Sequence, residues 1–90
     1  MNVVYTKHAK KKFKILERIG VKVTSKDVFS TIEDPDHYDS ESDEPSIIVS
    51  RSIDKNHILR VVFKAEDGII TVITFYPARK GRYYGKKNKN

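Results

Sequence analysis

The sequence predicts one α+β domain in which two helices pack on one face of an antiparallel sheet. Three observations predict it. Apolar residues recur at helical spacing between Ala9 and Ile32. Three runs rich in Val, Ile, Phe and Tyr follow, at residues 46–53, 57–65 and 69–76, separated by the turn signals Asp54-Lys55-Asn56 and Asp67-Gly68. Finally, 90 residues at 38% apolar content suffice for one thin core and no second domain. Helices first and strands afterwards is an α+β order.

Val3-Val4-Tyr5 reads as a short first strand, and Thr6 as the N-cap of a helix whose Ala9, Phe13, Leu16 and Ile19 should face the core. Gly20 suits the stop, because it tolerates a left-handed cap. Thr24-Ser25-Lys26-Asp27 resembles a capping box, so a second helix should begin there. Val28, Phe29 and Ile32 would form its apolar stripe, and Pro35 bars continuation. Residues 34–45 are nearly devoid of apolar side chains and read as a loop. The run at 69–76 is apolar almost throughout, which predicts an interior strand.

Two-residue turns at Lys55-Asn56 and Asp67-Gly68 would set Arg51 opposite Arg60, and Arg60 opposite Phe75. Leu59, Val61, Phe63 and Ala65 would then share the helix-covered face with Ile70, Val72, Thr74 and Tyr76. The other, more open face would carry Arg51, Arg60, Lys64, Thr71 and Phe75. Two arginines across a ladder repel unless an anion lies between them, which a phosphate site would explain.

Charge narrows the function classes. The chain carries 18 Lys and Arg against 12 Asp and Glu, for a net +6. Residues 7–22 hold seven cations and one anion, 33–44 seven anions and no cation, and 79–90 six cations and no anion. So polarised a surface suits a polyanion such as RNA on its basic side, although solvated surface charge with a basic tail reads the same way. With no cysteine, disulfides and thiolate sites are excluded, and a reducing, cytoplasmic compartment is expected. No apolar run reaches the length of a membrane span, and the N-terminus does not read as a signal peptide.

His8 and Lys12, four apart, share one edge of the first helix. They fit either a reacting phosphate or a hydrogen-bonded His beside a Lys that snorkels outward. The acidic stretch fails the calcium-loop pattern, since the sixth residue from Asp34 is Asp39 rather than Gly. His57 has no neighbouring His and is assigned no role. Residues 76–85 interleave Arg79, Lys80 and Arg82 with Tyr83 and Tyr84, a pattern that suits stacking on bases and pairing with phosphates.

Lys7-His8-Ala9 with Lys12 and then Glu17-Arg18 resembles the "His-Ala-x-x-Arg … Glu-Arg" helix of a widespread bacterial and archaeal domain family of unknown function. The runs at 58–63 and 70–77 resemble its two C-terminal strands. This chain departs in having Lys at position 12 where Arg is usual, and two extra residues before Glu17-Arg18. That family is similar to RelE-type and BrnT-type toxins, within a larger group of metal-independent ribonucleases that includes barnase and the colicin tRNases. The resemblance implies a helical pair on a four-stranded antiparallel sheet, one RelE-like domain over residues 1–85 and a basic tail at 86–90. It also implies RNA cleavage without a cofactor, often as the toxin of a toxin–antitoxin pair, so RNA, ribosomes and a small antitoxin protein are the expected partners. His8, Lys12, Arg18 and Arg60 match the family motif, while Arg79, Lys80, Tyr83 and Tyr84 resemble only the basic-aromatic ending of RelE-type toxins.

The expected catalytic set is therefore His8, Lys12, Arg60, Lys80 and Tyr83, with Arg18, Arg51, Arg79, Arg82 and Tyr84 as RNA-binding residues. His8 is the candidate acid or base, because His alone ordinarily titrates near neutrality. A non-catalytic RNA-binding module and a protein-interaction domain for an antitoxin-like partner are the alternatives.

Overall fold

A computed structural model describes residues 2–81. The elements run β1 (Asn2–Tyr5), α1 (Lys7–Arg18), α2 (Ser25–Glu33), β2 (His37–Asp39), β3 (Ile47–Ser52), β4 (His57–Glu66) and β5 (Ile69–Arg79). They form the expected α+β arrangement of two helices and one sheet. The sheet, however, has five strands in the order β1-β5-β4-β3-β2, and β1 runs parallel to β5. Four antiparallel strands were expected; the sheet is five-stranded and mixed.

Both differences follow from specific hydrogen bonds to backbone distant in the chain. Thr6 continues the β1 ladder, its amide donating to Val72 O at 3.0 Å before the chain turns into α1. The strand thus lies alongside β5, pairing Asn2 with Ile69 and Tyr5 with Val72. The extra strand comes from the acidic segment expected to be loop. There the carboxylates accept from backbone amides: Asp36 from Ser52 at 2.9 Å, and Asp39 from Glu41 and Ser42 at 2.9 and 3.0 Å. Together with the Asp36 amide on Ser50 O at 2.8 Å, these bonds lay residues 37–39 against β3. A short, charged edge strand of this kind resists pairing with other chains.

The helix signals act largely as read. The Thr6 hydroxyl accepts from the Ala9 amide at 3.1 Å and donates to Ile73 O at 3.0 Å, tying the helix start to β5. At the far end Gly20, at φ +84°, closes a Schellman turn, with Val21 N donating to Leu16 O and Gly20 N to Glu17 O. That turn leaves Ile19 as the C-cap and 70% exposed, so it does not join Ala9, Phe13 and Leu16 in the core. The capping box of α2 is complete, Thr24 N on Asp27 Oδ2 and Asp27 N on Thr24 Oγ1. Its buried face is Val28 with Thr31 rather than Phe29, which is exposed. Thr31 is tolerated there because its hydroxyl donates to Asp27 O at 2.8 Å.

Two shifts of register correct the expected pairings. The Asp54 carboxylate accepts from the amides of Asn56 and His57, both at 2.8 Å, which makes the β3–β4 turn three residues long. Arg51 consequently pairs with Leu59, and Arg60 with Ser50. The Asp67-Gly68 turn is two residues as expected, with Glu66 opposite Ile69. Beyond Phe63, which pairs with Val72, the ladder skips Ile73, so Val62 pairs with Thr74 and Arg60 with Tyr76. This bulge turns Phe75 into the core and Thr74 and Tyr76 out of it, the reverse of strict alternation.

The core lies between the helices and one sheet face: Ala9, Leu16, Val23 and Val28 from the helical half meet Val49, Leu59, Val61, Phe63, Val72 and Phe75. Tyr5 meets Phe13 edge-on at 5.5 Å, and Phe13 lies 4.6 Å from Phe75. Burial raises the Tyr5 hydroxyl pKa.

Candidate functional site

Across β2, β3, β4 and β5 the pairings align His37, Ser50, Arg60 and Tyr76 in one row. The row lies on the sheet face away from the helices, because Val49, Leu59, Val61 and Phe75, the alternating neighbours of Ser50, Arg60 and Tyr76, belong to the helix-side core. This face is less open than alternation suggests, since Ile58 is fully buried, and Ser50 and Val62 are 2% and 8% exposed. Arg60 stands half-buried among them. Its Nε donates to Tyr76 Oη at 3.0 Å, and its guanidinium carbon lies 5.7 Å from the Tyr76 ring centroid. The phenol thus holds the head group at one place on the sheet.

His8 reaches the same face from the sheet edge. β1 ends at Tyr5 and α1 begins at Lys7, so the first helical turn lies beside the part of β5 that β1 no longer covers. There His8 Nε2 lies 3.1 Å from Thr74 Oγ1. The bulge at Ile73 makes this contact available, because it turns Thr74 onto the face of Arg60 and Tyr76. Thr74 and Tyr76 are two residues apart, about 7 Å along the strand. His8, Thr74, Tyr76 and Arg60 therefore follow one another on one face.

The remaining expected residues are distributed elsewhere. Lys12 is half-buried one turn beyond His8, on the same edge of α1. Arg18, in the last turn of α1, lies ten residues from His8, about 15 Å along the helix, where it complements the helix dipole. Arg51 is drawn to the end of α2, its Nη1 3.0 Å from Asp34 Oδ2 and also bonded to Asp34 O. It therefore fastens the helix cap on the opposite side of the sheet from Arg60, and the expected pair of facing arginines does not form. Arg79 pairs with His57, and Lys80 donates its amide to Asn56 O at 2.8 Å. Six residues separate Lys80 from Thr74, about 20 Å of strand, so Lys80 does not join His8. Arg82, Tyr83 and Tyr84 lie outside the described residues. Among the described residues no group of three or more His, Asp or Glu is arranged to hold a metal.

Two histidines escaped sequence reasoning. His37 shares the row of Arg60, two strand spacings away, about 10 Å; nothing in a polar, acidic stretch marked it as a strand. His57 Nδ1 lies 3.0 Å from Asp54 Oδ1 at the start of β4, three residues before Arg60 and on the opposite face. That pair was within reach of the sequence, because an Asp three residues before a His across a turn is a ready partner for it. It lines a groove of about 560 Å³ walled by the α1–α2 connection, the β3–β4 turn and the end of β5. Hydrogen bonds from the Asn56 amide, then from the His57 ring and amide, lower the Asp54 pKa.

Among the described residues no helix is long and apolar enough to cross a membrane. Comparison with known proteins yields no relative: no family model matches the chain, and no curated protein or solved structure matches it at a significant level.

Proposed function

We propose that this protein is an RNA endonuclease of the metal-independent kind, acting from the helix-free face of its sheet. The reading rests on one observation: His8, Thr74, Tyr76 and Arg60 lie in succession on that face, joined by the His8–Thr74 and Arg60–Tyr76 hydrogen bonds. In the reaction a ribose 2′-oxygen bonds to the adjacent phosphorus and the bond to the 5′-oxygen breaks, leaving a 2′,3′-cyclic phosphate and a free 5′-hydroxyl. A base takes the 2′ proton, and an acid supplies a proton to the departing oxygen. His8 is the acid or base at one end of the run, with Lys12 beside it on the helix edge. Arg60, held by Tyr76, stabilises the charge that develops on the phosphorane, a role often worth about 10²–10³-fold. The exposed Lys7, Lys10, Lys11 and Lys14 of α1 favour a polyanion and equally support a non-catalytic RNA-binding module.

The test is incubation of the full chain with RNA in EDTA, with and without ribosomes. Cleavage that falls at least about 100-fold in His8→Ala and in Arg60→Ala, at unchanged melting temperature, is the expected result. Salt-dependent binding without turnover would make the protein a binding module. Absence of both would leave a protein-interaction domain for an antitoxin-like partner, and full activity in His8→Ala would remove that residue from the mechanism.

A further inference from the structure

The groove beside the β3–β4 turn has its own chemistry. Its walls are Gly20, Val21 and Lys22 from the α1–α2 connection, Ile53, Asp54 and His57 around the β3–β4 turn, and Pro77, Ala78 and Arg79 at the end of β5. His57 and Arg79 pair directly across the ladder, which sets their side chains next to each other on the helix side of the sheet. Here the groove lies on the opposite face from Arg60. Its volume, about 560 Å³, is in the range of small-molecule sites.

Three features define what it would take. Among the described residues neither the Lys22 nor the Arg79 side chain makes an ion pair or hydrogen bond, so two cations line the groove uncommitted. The one acid, Asp54, is engaged by the amides of Asn56 and His57 and by the His57 ring, and its charge is directed into the turn. Those same bonds fix the imidazole: with Nδ1 against the carboxylate, Nε2 is the nitrogen left for a ligand. Val21, Ile53, Pro77 and Ala78 supply an apolar wall beside this polar end. A divalent anion suits two cations better than a monocarboxylate does, and the apolar wall asks for a ring attached to it.

We infer that this groove binds a phosphate monoester of nucleotide size, with the phosphate between Lys22 and Arg79, the Nε2–H of a His57 imidazolium donating to it while Nδ1–H donates to Asp54, and the nucleoside against Val21, Ile53 and Pro77. A free mononucleotide and the phosphorylated end of an RNA strand present the same chemistry. The site is separate from the proposed cleavage face and does not depend on that face being catalytic.

NMR titration of the full chain with AMP, adenosine, and an RNA octamer with and without a 5′-phosphate tests this. The expected result is that AMP shifts the amides of Lys22, Asp54, His57 and Arg79, and that adenosine binds at least tenfold more weakly. Lys22→Gln and Arg79→Gln should each weaken AMP at least fivefold, while Lys64→Gln on the opposite face leaves it unchanged. A phosphorylated octamer that perturbs the same amides more strongly than its unphosphorylated form identifies a strand end as the ligand; AMP alone doing so identifies the free nucleotide. Equal affinity for adenosine and AMP, or shifts confined to the face of Arg60 and Thr74, would overturn the inference. So would AMP affinity unaltered in both Lys22→Gln and Arg79→Gln.

Discussion

The bulge at Ile73 decides which β5 side chains hold the domain together, and substitutions on either side of it test that directly. Strict alternation from Val72 would bury Thr74 and expose Phe75; the structure does the reverse, with Phe75 0% exposed and 4.6 Å from the Phe13 ring. Truncating a buried Phe to Ala costs about 3–5 kcal/mol, and loss of the ring pair sets Phe75→Ala in the upper part of that range. A domain of this size has about 5–14 kcal/mol in total, so the variant retains only part of its stability. At roughly 4–8 °C per kcal/mol, a loss of about 4 kcal/mol lowers the melting temperature by about 15–30 °C. Thr74→Ala removes one half-exposed hydroxyl and its bond to His8, worth about 1 kcal/mol or less. Urea denaturation of both variants, with midpoints compared at a common slope, is the assay. Thr74→Ala destabilising as much as Phe75→Ala would refute the bulge, and with it the route by which His8 reaches the face of Arg60.

Gly20→Ala should destabilise by about 1–2 kcal/mol in the same assay: a Cβ there meets nothing within 4 Å, so the loss comes from the backbone at φ +84°. A loss above about 3 kcal/mol would mean that the turn packs more closely than this. The lowered pKa of Asp54 means that its turn contribution is fully present above the unfolded aspartate value and is lost as pH falls through the folded one. The Asn56 amide resonance should thus report an acid transition whose midpoint lies below the ordinary aspartate value; a midpoint at or above that value would contradict the hydrogen-bonded turn. If RNA meets the exposed lysines of α1, four phosphate contacts give a log–log salt slope of about −3 on a single strand. A slope near zero by fluorescence anisotropy would argue for a protein partner instead.

Local chemistry in this chain was legible without tertiary information. Thr6, Gly20 and the Thr24–Asp27 box act on their own neighbours within four or five residues, so the ends of both helices could be read from composition and spacing alone. The interior position of β5 followed from its unbroken apolar run, and the Asp67-Gly68 hairpin from its turn residues. What spacing could not supply was any count that depends on one residue inserted or withheld. A third residue in the Asp54 turn and one skipped at Ile73 each shift the pairing by one, and a shift of one exchanges the faces of every side chain beyond it. Hence Arg51 went to the cap of α2 and Thr74 came round to His8. His8 and Arg60 were both visible in the sequence as unusual residues, but their common face exists only because a bulge 13 residues past Arg60 redirects the strand beside them. The parallel pairing of β1 and the strand within the acidic segment were likewise tertiary outcomes. Each depends on backbone partners more than ten residues away, Val72 for Thr6 and Ser50 for Asp36, which no local pattern encodes.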